Sequence, residues 1–212
     1  MILIGMFDSP FVRRVAVSLN VLGMSFEHRD WSVGKDFDRI REFNPLGRVP
    51  TLVIDDGNPL MESSAILDYI DQRAGPERAL LPPAGVPRRE ALRLMAVATG
   101  AAEKGILQVY ESVFRPEEKR HWPWLERCRL QTFAALDLLE AEAGARHGRF
   151  LVGEHLTQAD ITVACVMRFL TDAVAVKRDP SDYPALSALG ARCESLPAFR
   201  DAAAVFEAPR SA

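Results

Sequence analysis

The chain is poor in cysteine, and what it has forms no pattern. Its three cysteines, Cys128, Cys165 and Cys193, are odd in number, widely spaced and include no CxxC pair. That argues against both a disulfide framework and a zinc site. Cys165 lies within the apolar run Ile161-Thr162-Val163-Ala164-Cys165-Val166-Met167, so it reads as a buried packing residue. The four histidines, His28, His121, His147 and His155, show no ligand spacing such as HxxxH, and no metal is expected. Basic residues are not in excess: 26 Lys and Arg face 29 Asp and Glu, a net charge of −3. Nucleic acid is therefore not an expected partner. No apolar run approaches the length that crosses a bilayer. Residues 1–7 are apolar, but Asp8 and Arg13 interrupt them before a signal-peptide core forms. The expectation is a soluble, cytoplasmic protein without a membrane partner.

What is present is a change of pattern along 212 residues, a length that suits one large domain or two modest ones. Residues 2–5 form a brief apolar strand candidate. Residues 10–23 carry Phe11, Val15, Leu19 and Leu22 at spacings of three and four, one buried helical face closed by Gly23. Residues 25–31 alternate as a second strand, and residues 35–43 suit a short helix ended by the turn Asn44-Pro45-Leu46-Gly47. Residues 51–54 and 59–61 make a hairpin around Asp55-Asp56-Gly57-Asn58. Residues 63–74 form a helix with Ile66, Leu67, Tyr69 and Ile70 turned inward. The order β-α-β-α-β-β-α is that of an α/β thioredoxin-like domain over residues 1–74.

Residues 75–87 hold four prolines and two glycines, a linker composition. Beyond them the pattern is helical, giving an all-α domain over residues 88–207. Its first helix spans about 40 Å at 1.5 Å per residue, with Leu92, Met95, Thr99, Ala102, Ile106, Val109 and Val113 expected on the buried face. Residues 124–142 form a second long helix. A third starts at Thr157, where Asp160 makes a capping-box variant and Leu156 pairs with Ile161 as a hydrophobic staple. Pro184 and Pro197 open two shorter helices.

Three short motifs in the first 64 residues fit a site for a small peptide thiol: Phe7-Asp8-Ser9-Pro10-Phe11, Arg48-Val49-Pro50-Thr51 and Glu62-Ser63-Ser64. The first and third put a hydroxyl at a helix start, where unpaired N–H groups favour negative charge. The second puts a proline at a strand mouth, where it leaves neighbouring backbone open to a ligand. Each motif also has an ordinary reading. Ser9 before Pro10 is a common helix cap, Pro50 is a plain edge proline, and Glu62-Ser63 is an acid near a capped helix end.

Taken with Leu156-Thr157-Gln158-Ala159-Asp160 and the longer stretches Ser9-Pro10-Phe11-Val12-Arg13-Arg14-Val15 and Asn44-Pro45-Leu46-Gly47-Arg48-Val49-Pro50-Thr51-Leu52, these motifs resemble the cytosolic glutathione transferases from end to end. The likeness is greatest to bacterial members with a serine at the catalytic position before P-F-V. The resemblance implies glutathione as co-substrate, Ser9 as the catalytic hydroxyl that donates to the glutathione thiolate, and a cis bond before Pro50. That bond presents the Val49 backbone to the cysteinyl backbone of glutathione, beside Arg48. It also implies that Ser63 holds the γ-glutamyl carboxylate while Glu62 accepts from the ammonium. Phe7, Phe11, Tyr110 and Phe114 are the expected walls of an apolar electrophile pocket between the domains.

The expected activity is transfer of the glutathione sulfur to a small hydrophobic electrophile, by a symmetric homodimer. Two alternatives share the motifs. One is a glutathione-dependent isomerase, dehalogenase or ether-cleaving enzyme. The other is a non-catalytic glutathione- or hydrophobe-binding protein, since fold alone does not decide activity.

Overall fold

Short apolar strands placed between amphipathic helices bury best as a sheet with helices packed on it, and the first part of the chain does this. In the computed structural model, which describes residues 1–146, 150–174 and 182–209, β1 (Ile2–Ile4), β2 (Glu27–Arg29), β3 (Thr51–Val53) and β4 (Pro59–Met61) form one sheet in the order β2-β1-β3-β4. β1 runs parallel to β2 and antiparallel to β3, with Leu3 opposite both His28 and Leu52. β3 and β4 close as a hairpin. The strand expected over residues 25–31 is shorter than its alternation, because only three of its residues pair with β1.

The helices of this part are α1 (Pro10–Val21), α2 (Phe37–Arg41) and α3 (Ser63–Ala74). α1 stops as glycine dictates: Gly23 takes φ +66° and the Met24 N–H reaches back to the Leu19 carbonyl at 2.9 Å. α1 and α3 pack together over Leu3, Val15, Leu19, Ile66 and Ile70, each 0% exposed.

Contacts divide the chain into two units: Met1–Leu80 with Leu196–Ala212, and Leu81–Ser195. α8 (Pro197–Arg200) packs on α1 in the first unit. The buried Arg13 sends Nε to the Ala202 carbonyl at 2.9 Å and Nη2 to the Phe199 carbonyl at 3.3 Å. The helical unit thus ends before residue 207, because a donor on α1 claims the segment that follows it.

The second unit contains α4 (Gly85–Phe114), α5 (Trp122–Gly144), α6 (Gln158–Ala173) and α7 (Pro184–Glu194). Here the expected buried face of α4 is corrected. Leu92 is 45% exposed, and the buried residues are Ala91, Leu94, Met95, Ala98, Ala101, Ala102, Gly105, Val109 and Glu111. The stripe turns toward small residues because α4 must approach α6 closely. A side chain at Gly105 would meet Leu170 at 2.6 Å. α6 begins as expected, with Thr157 as its cap and the reciprocal box to Asp160. Asp160, 0% exposed, accepts from the Thr157 N–H at 2.8 Å, the Thr157 hydroxyl at 2.7 Å and the Leu151 N–H at 2.7 Å.

No helix among the described residues is long and apolar enough to cross a membrane. Among the same residues no group of three or more His, Cys, Asp or Glu could hold a metal; His147 lies outside them.

Candidate glutathione site

Ser9 stands at the N-cap of α1 with extended backbone (φ −71°, ψ 124°) and Pro10 at the first helical position. Its carbonyl accepts the Arg13 N–H at 2.9 Å, but its hydroxyl makes no capping hydrogen bond. The ordinary cap role is therefore left to the backbone, and among the described residues the hydroxyl has no partner next to the positive end of a twelve-residue helix. On its other side, Asp8 accepts the Glu207 N–H at 3.1 Å. Burial, with the Asp30 and Glu207 charges adding to it, pushes the Asp8 carboxyl up from 3.8 to about 6 against the pull of that hydrogen bond.

The second motif is held by a residue whose role was not foreseen. Asn44, 2% exposed, donates from Nδ2 to the Arg48 carbonyl at 2.9 Å and to the Thr51 hydroxyl at 3.2 Å. Its Oδ1 accepts the Leu46 N–H at 3.1 Å. One buried amide thus spans the loop that carries Arg48, Val49 and Pro50. The signal in the sequence was the Asx residue opening that turn. The Val49–Pro50 bond is cis. Among the described residues, neither the N–H nor the C=O of Val49 makes a hydrogen bond, so an edge of backbone is open to pairing with an extended peptide.

Glu62 and Ser63 begin α3. Glu62 takes φ +67° and ψ +119°, a conformation L residues avoid, and its carboxylate is more than half exposed. Ser63 is 3% exposed and occupies the first helical position, where its backbone N–H has no intrahelical partner.

Contacts join the three motifs. The Arg48 guanidinium lies 3.3 Å from the Glu62 carboxylate. Arg14, one turn along α1 from Ser9, donates to the Ser63 hydroxyl from Nε at 3.1 Å and Nη2 at 2.7 Å. Val49 packs against the turn before Ser9, where a side chain at Gly5 would meet the Val49 Cβ at 2.8 Å. Arg14 went unrecognised in the sequence because a basic residue inside an apolar helical stripe gives no sign of what it meets.

The expected pocket aromatics occupy two settings. Phe7 stacks on the His28 ring, 3.8 Å between centroids and 7° between planes, and Phe11 lies 5.9 Å from the Arg14 guanidinium. In the second unit Tyr110 and Phe114 make an edge-on pair at 5.2 Å, both partly exposed.

Comparison with known proteins identifies the family and the fold. Residues 3–78 match the family "Glutathione S-transferase, N-terminal domain" and residues 123–189 match "Glutathione S-transferase, C-terminal domain". The chain belongs to the glutathione S-transferase family. It is 30% identical over 169 residues to the uncharacterized GST-like protein YibF of Escherichia coli (strain K12), covering 79% of this chain and 81% of that one. It is 29% identical over 201 residues to a maleylpyruvate isomerase of Ralstonia sp, covering 90% of each. Its fold superposes, with a TM-score of 0.88 and 27% identity, on a glutathione S-transferase of Methylobacterium radiotolerans JCM 2831 crystallised with glutathione sulfonate. That superposition covers 100% of this chain and 95% of the other. The fold is a thioredoxin-like domain followed by a helical domain.

Proposed function

We propose that the first unit binds glutathione and that the Ser9 hydroxyl donates to its sulfur, preparing the thiolate for attack on a small apolar electrophile. The observation that carries this reading is the Ser9 hydroxyl itself, which starts a long helix and takes no part in capping it. The tripeptide meets complementary groups in the other motifs. The open Val49 backbone pairs with the cysteinyl residue, the Glu62 carboxylate accepts from the ammonium, and the Ser63 hydroxyl and N–H face the γ-glutamyl carboxylate. Arg48, paired with Glu62, lies beside the same backbone. The structure of a relative with glutathione sulfonate supports the choice of ligand.

The chemistry follows from charge. A free thiol titrates near 8.5, and helix N-termini and hydrogen-bond donors lower it. A drop of about two units is worth roughly 2.7 kcal/mol and turns a few per cent of thiolate at neutral pH into a majority. The thiol proton leaves to solvent. The sulfur lone pair then forms the new carbon–sulfur bond while the leaving group departs with its bonding pair, and no covalent bond to the protein is needed.

A second reading uses the same thiolate as an isomerase. It adds to an activated cis double bond, the former double bond rotates as a single bond, and the thiolate leaves again. The Ralstonia relative over 90% of both chains favours this reading. Turnover of an aryl halide, measured beside isomerisation of a maleyl-substituted keto acid, separates the two. For either reaction Ser9→Ala should lower kcat/KM about a hundredfold, the range for removing one donor to a developing anion, while the Kd for glutathione stays within about threefold. Unchanged turnover would return Ser9 to a structural role. The family resemblance also implies a homodimer, which light scattering at micromolar concentration tests.

A further inference from the structure

A serine hydroxyl has one proton to donate and two lone pairs that accept. At Ser63 both lone pairs meet N–H donors of a single guanidinium: Arg14 Nε at 3.1 Å and Nη2 at 2.7 Å. Arginine has no acceptor and stays protonated in proteins, so this contact has one polarity only. With its accepting capacity taken up, the Ser63 hydroxyl can only donate. Among the described residues its proton goes to no partner. The site therefore favours an accepting group, most strongly a charged carboxylate oxygen, and disfavours an ammonium, which can only donate.

Two further observations show that this polarity is built in. Arg14 and Ser63 are each 3% exposed, so water does not compete freely for the contact. Phe11, three residues before Arg14 on the same helix, lies 5.9 Å from the guanidinium and holds its plane from one side. Hydrogen bonds in such a chain polarise one another, so each N–H arriving at the oxygen makes the Ser63 proton a better donor.

We propose that Arg14 is a positioning residue for the ligand's amino-terminal carboxylate. It acts through Ser63 and sets that hydroxyl as an obligate donor. This inference rests on the glutathione site argued above, with Ser63 at the γ-glutamyl carboxylate. Arg14 thereby couples the helix that carries Ser9 to the subsite that reads the far end of the tripeptide, and it makes the enzyme selective for thiols bearing that carboxylate.

The test compares glutathione with γ-aminobutyryl-cysteinyl-glycine, the same thiol without the γ-glutamyl α-carboxylate, by calorimetry and steady-state kinetics. The wild type should bind the analogue about thirtyfold more weakly than glutathione, in the range for a hydrogen bond to a charged group. Arg14→Met should weaken glutathione about tenfold and the analogue less than twofold, so the preference largely disappears. The loss should fall on KM for glutathione more than on kcat at saturation. Arg14→Lys keeps the charge but brings a single nitrogen in place of the two that reach the Ser63 oxygen, and should restore about a third of the preference. It also serves as the deciding variant if Arg14→Met does not fold by circular dichroism. If the wild type binds neither thiol, the glutathione reading itself fails. If the wild type discriminates and the Arg14 variants discriminate equally well, the glutathione site stands and the role of Arg14 is wrong. Equal weakening of both thiols would also overturn it, since that is what a merely structural arginine would do.

Discussion

The Asp8 carboxylate accepts the backbone N–H of Glu207 at 3.1 Å across 199 positions of sequence, tying the last turns of the chain to the residue before Ser9. The tie is made by a carboxyl that burial pushes up to about 6, so it titrates within the range where enzymes are assayed.

The direction of that effect follows from linkage. The folded chain holds Asp8 at about 6 and the unfolded chain at 3.8. Between those values the folded state binds more protons, so stability rises as pH falls from 7 toward 4. Removing the charge by Asp8→Asn should therefore stabilise the protein at pH 7.5 and do little at pH 4.5. The expected gain is about 1 kcal/mol, a third of the roughly 3 kcal/mol of an unscreened displacement, or about 2–4 °C in Tm. Differential scanning calorimetry at both pH values checks it. An equal Tm for variant and wild type at pH 7.5 would remove Asp8 as the responsible group.

Glu62 sets stability against binding. Its φ of +67° costs on the order of 1–3 kcal/mol in a non-glycine residue, and strain of this kind persists where a side chain must be aimed. Glu62→Gly should relieve it, less the added freedom of glycine in the unfolded chain, for a net gain of about 1 kcal/mol. The same change deletes the proposed ammonium acceptor and should weaken glutathione about tenfold. Glu62→Gln keeps the strained backbone and should weaken binding without raising Tm. Thermal melts and calorimetry on the pair separate strain from charge, and a Tm for Glu62→Gly below the wild type would contradict the strain argument.

Asp160 holds three donors in a buried setting. Burial raises its carboxyl above the ordinary range more than those hydrogen bonds lower it. Asp160→Ala leaves the Leu151 and Thr157 N–H groups and the Thr157 hydroxyl to find other partners, and should cost about 3–4 kcal/mol. The corresponding fall is about 10 °C in Tm. Asp160→Asn keeps one acceptor oxygen and should lose about half as much. Urea titrations of both variants measure this, and a loss under about 1 kcal/mol for Asp160→Ala would show that the loop before α6 rearranges to satisfy them.

Local rules made much of this molecule legible. The hairpin at Gly57, the stop at Gly23, the helix starting at Ser63 and the box between Thr157 and Asp160 each rest on residues within a few positions of one another, which is where such rules hold. α4 escaped them in part. Its buried face is chosen by α6 through Gly105, and spacing alone favours Leu92 over the alanines beside it. The proposed site divides the same way. Ser9, Val49, Glu62 and Ser63 are visible as motif positions. Arg14 and Asn44 act across 49 and seven residues respectively, and their partners follow from the fold and not from neighbouring sequence.

Arg13 on the first long helix bonds to carbonyls of Phe199 and Ala202, and Asn20 on the same helix bonds to that of Ala198. These donors and acceptors lie 178–189 residues apart. A ribosome makes the helix long before the carbonyls it binds, so this lobe closes only once residues 198–202 have been made. The helices between 81 and 195 are already complete by then, and the lobe begun before them is finished after them.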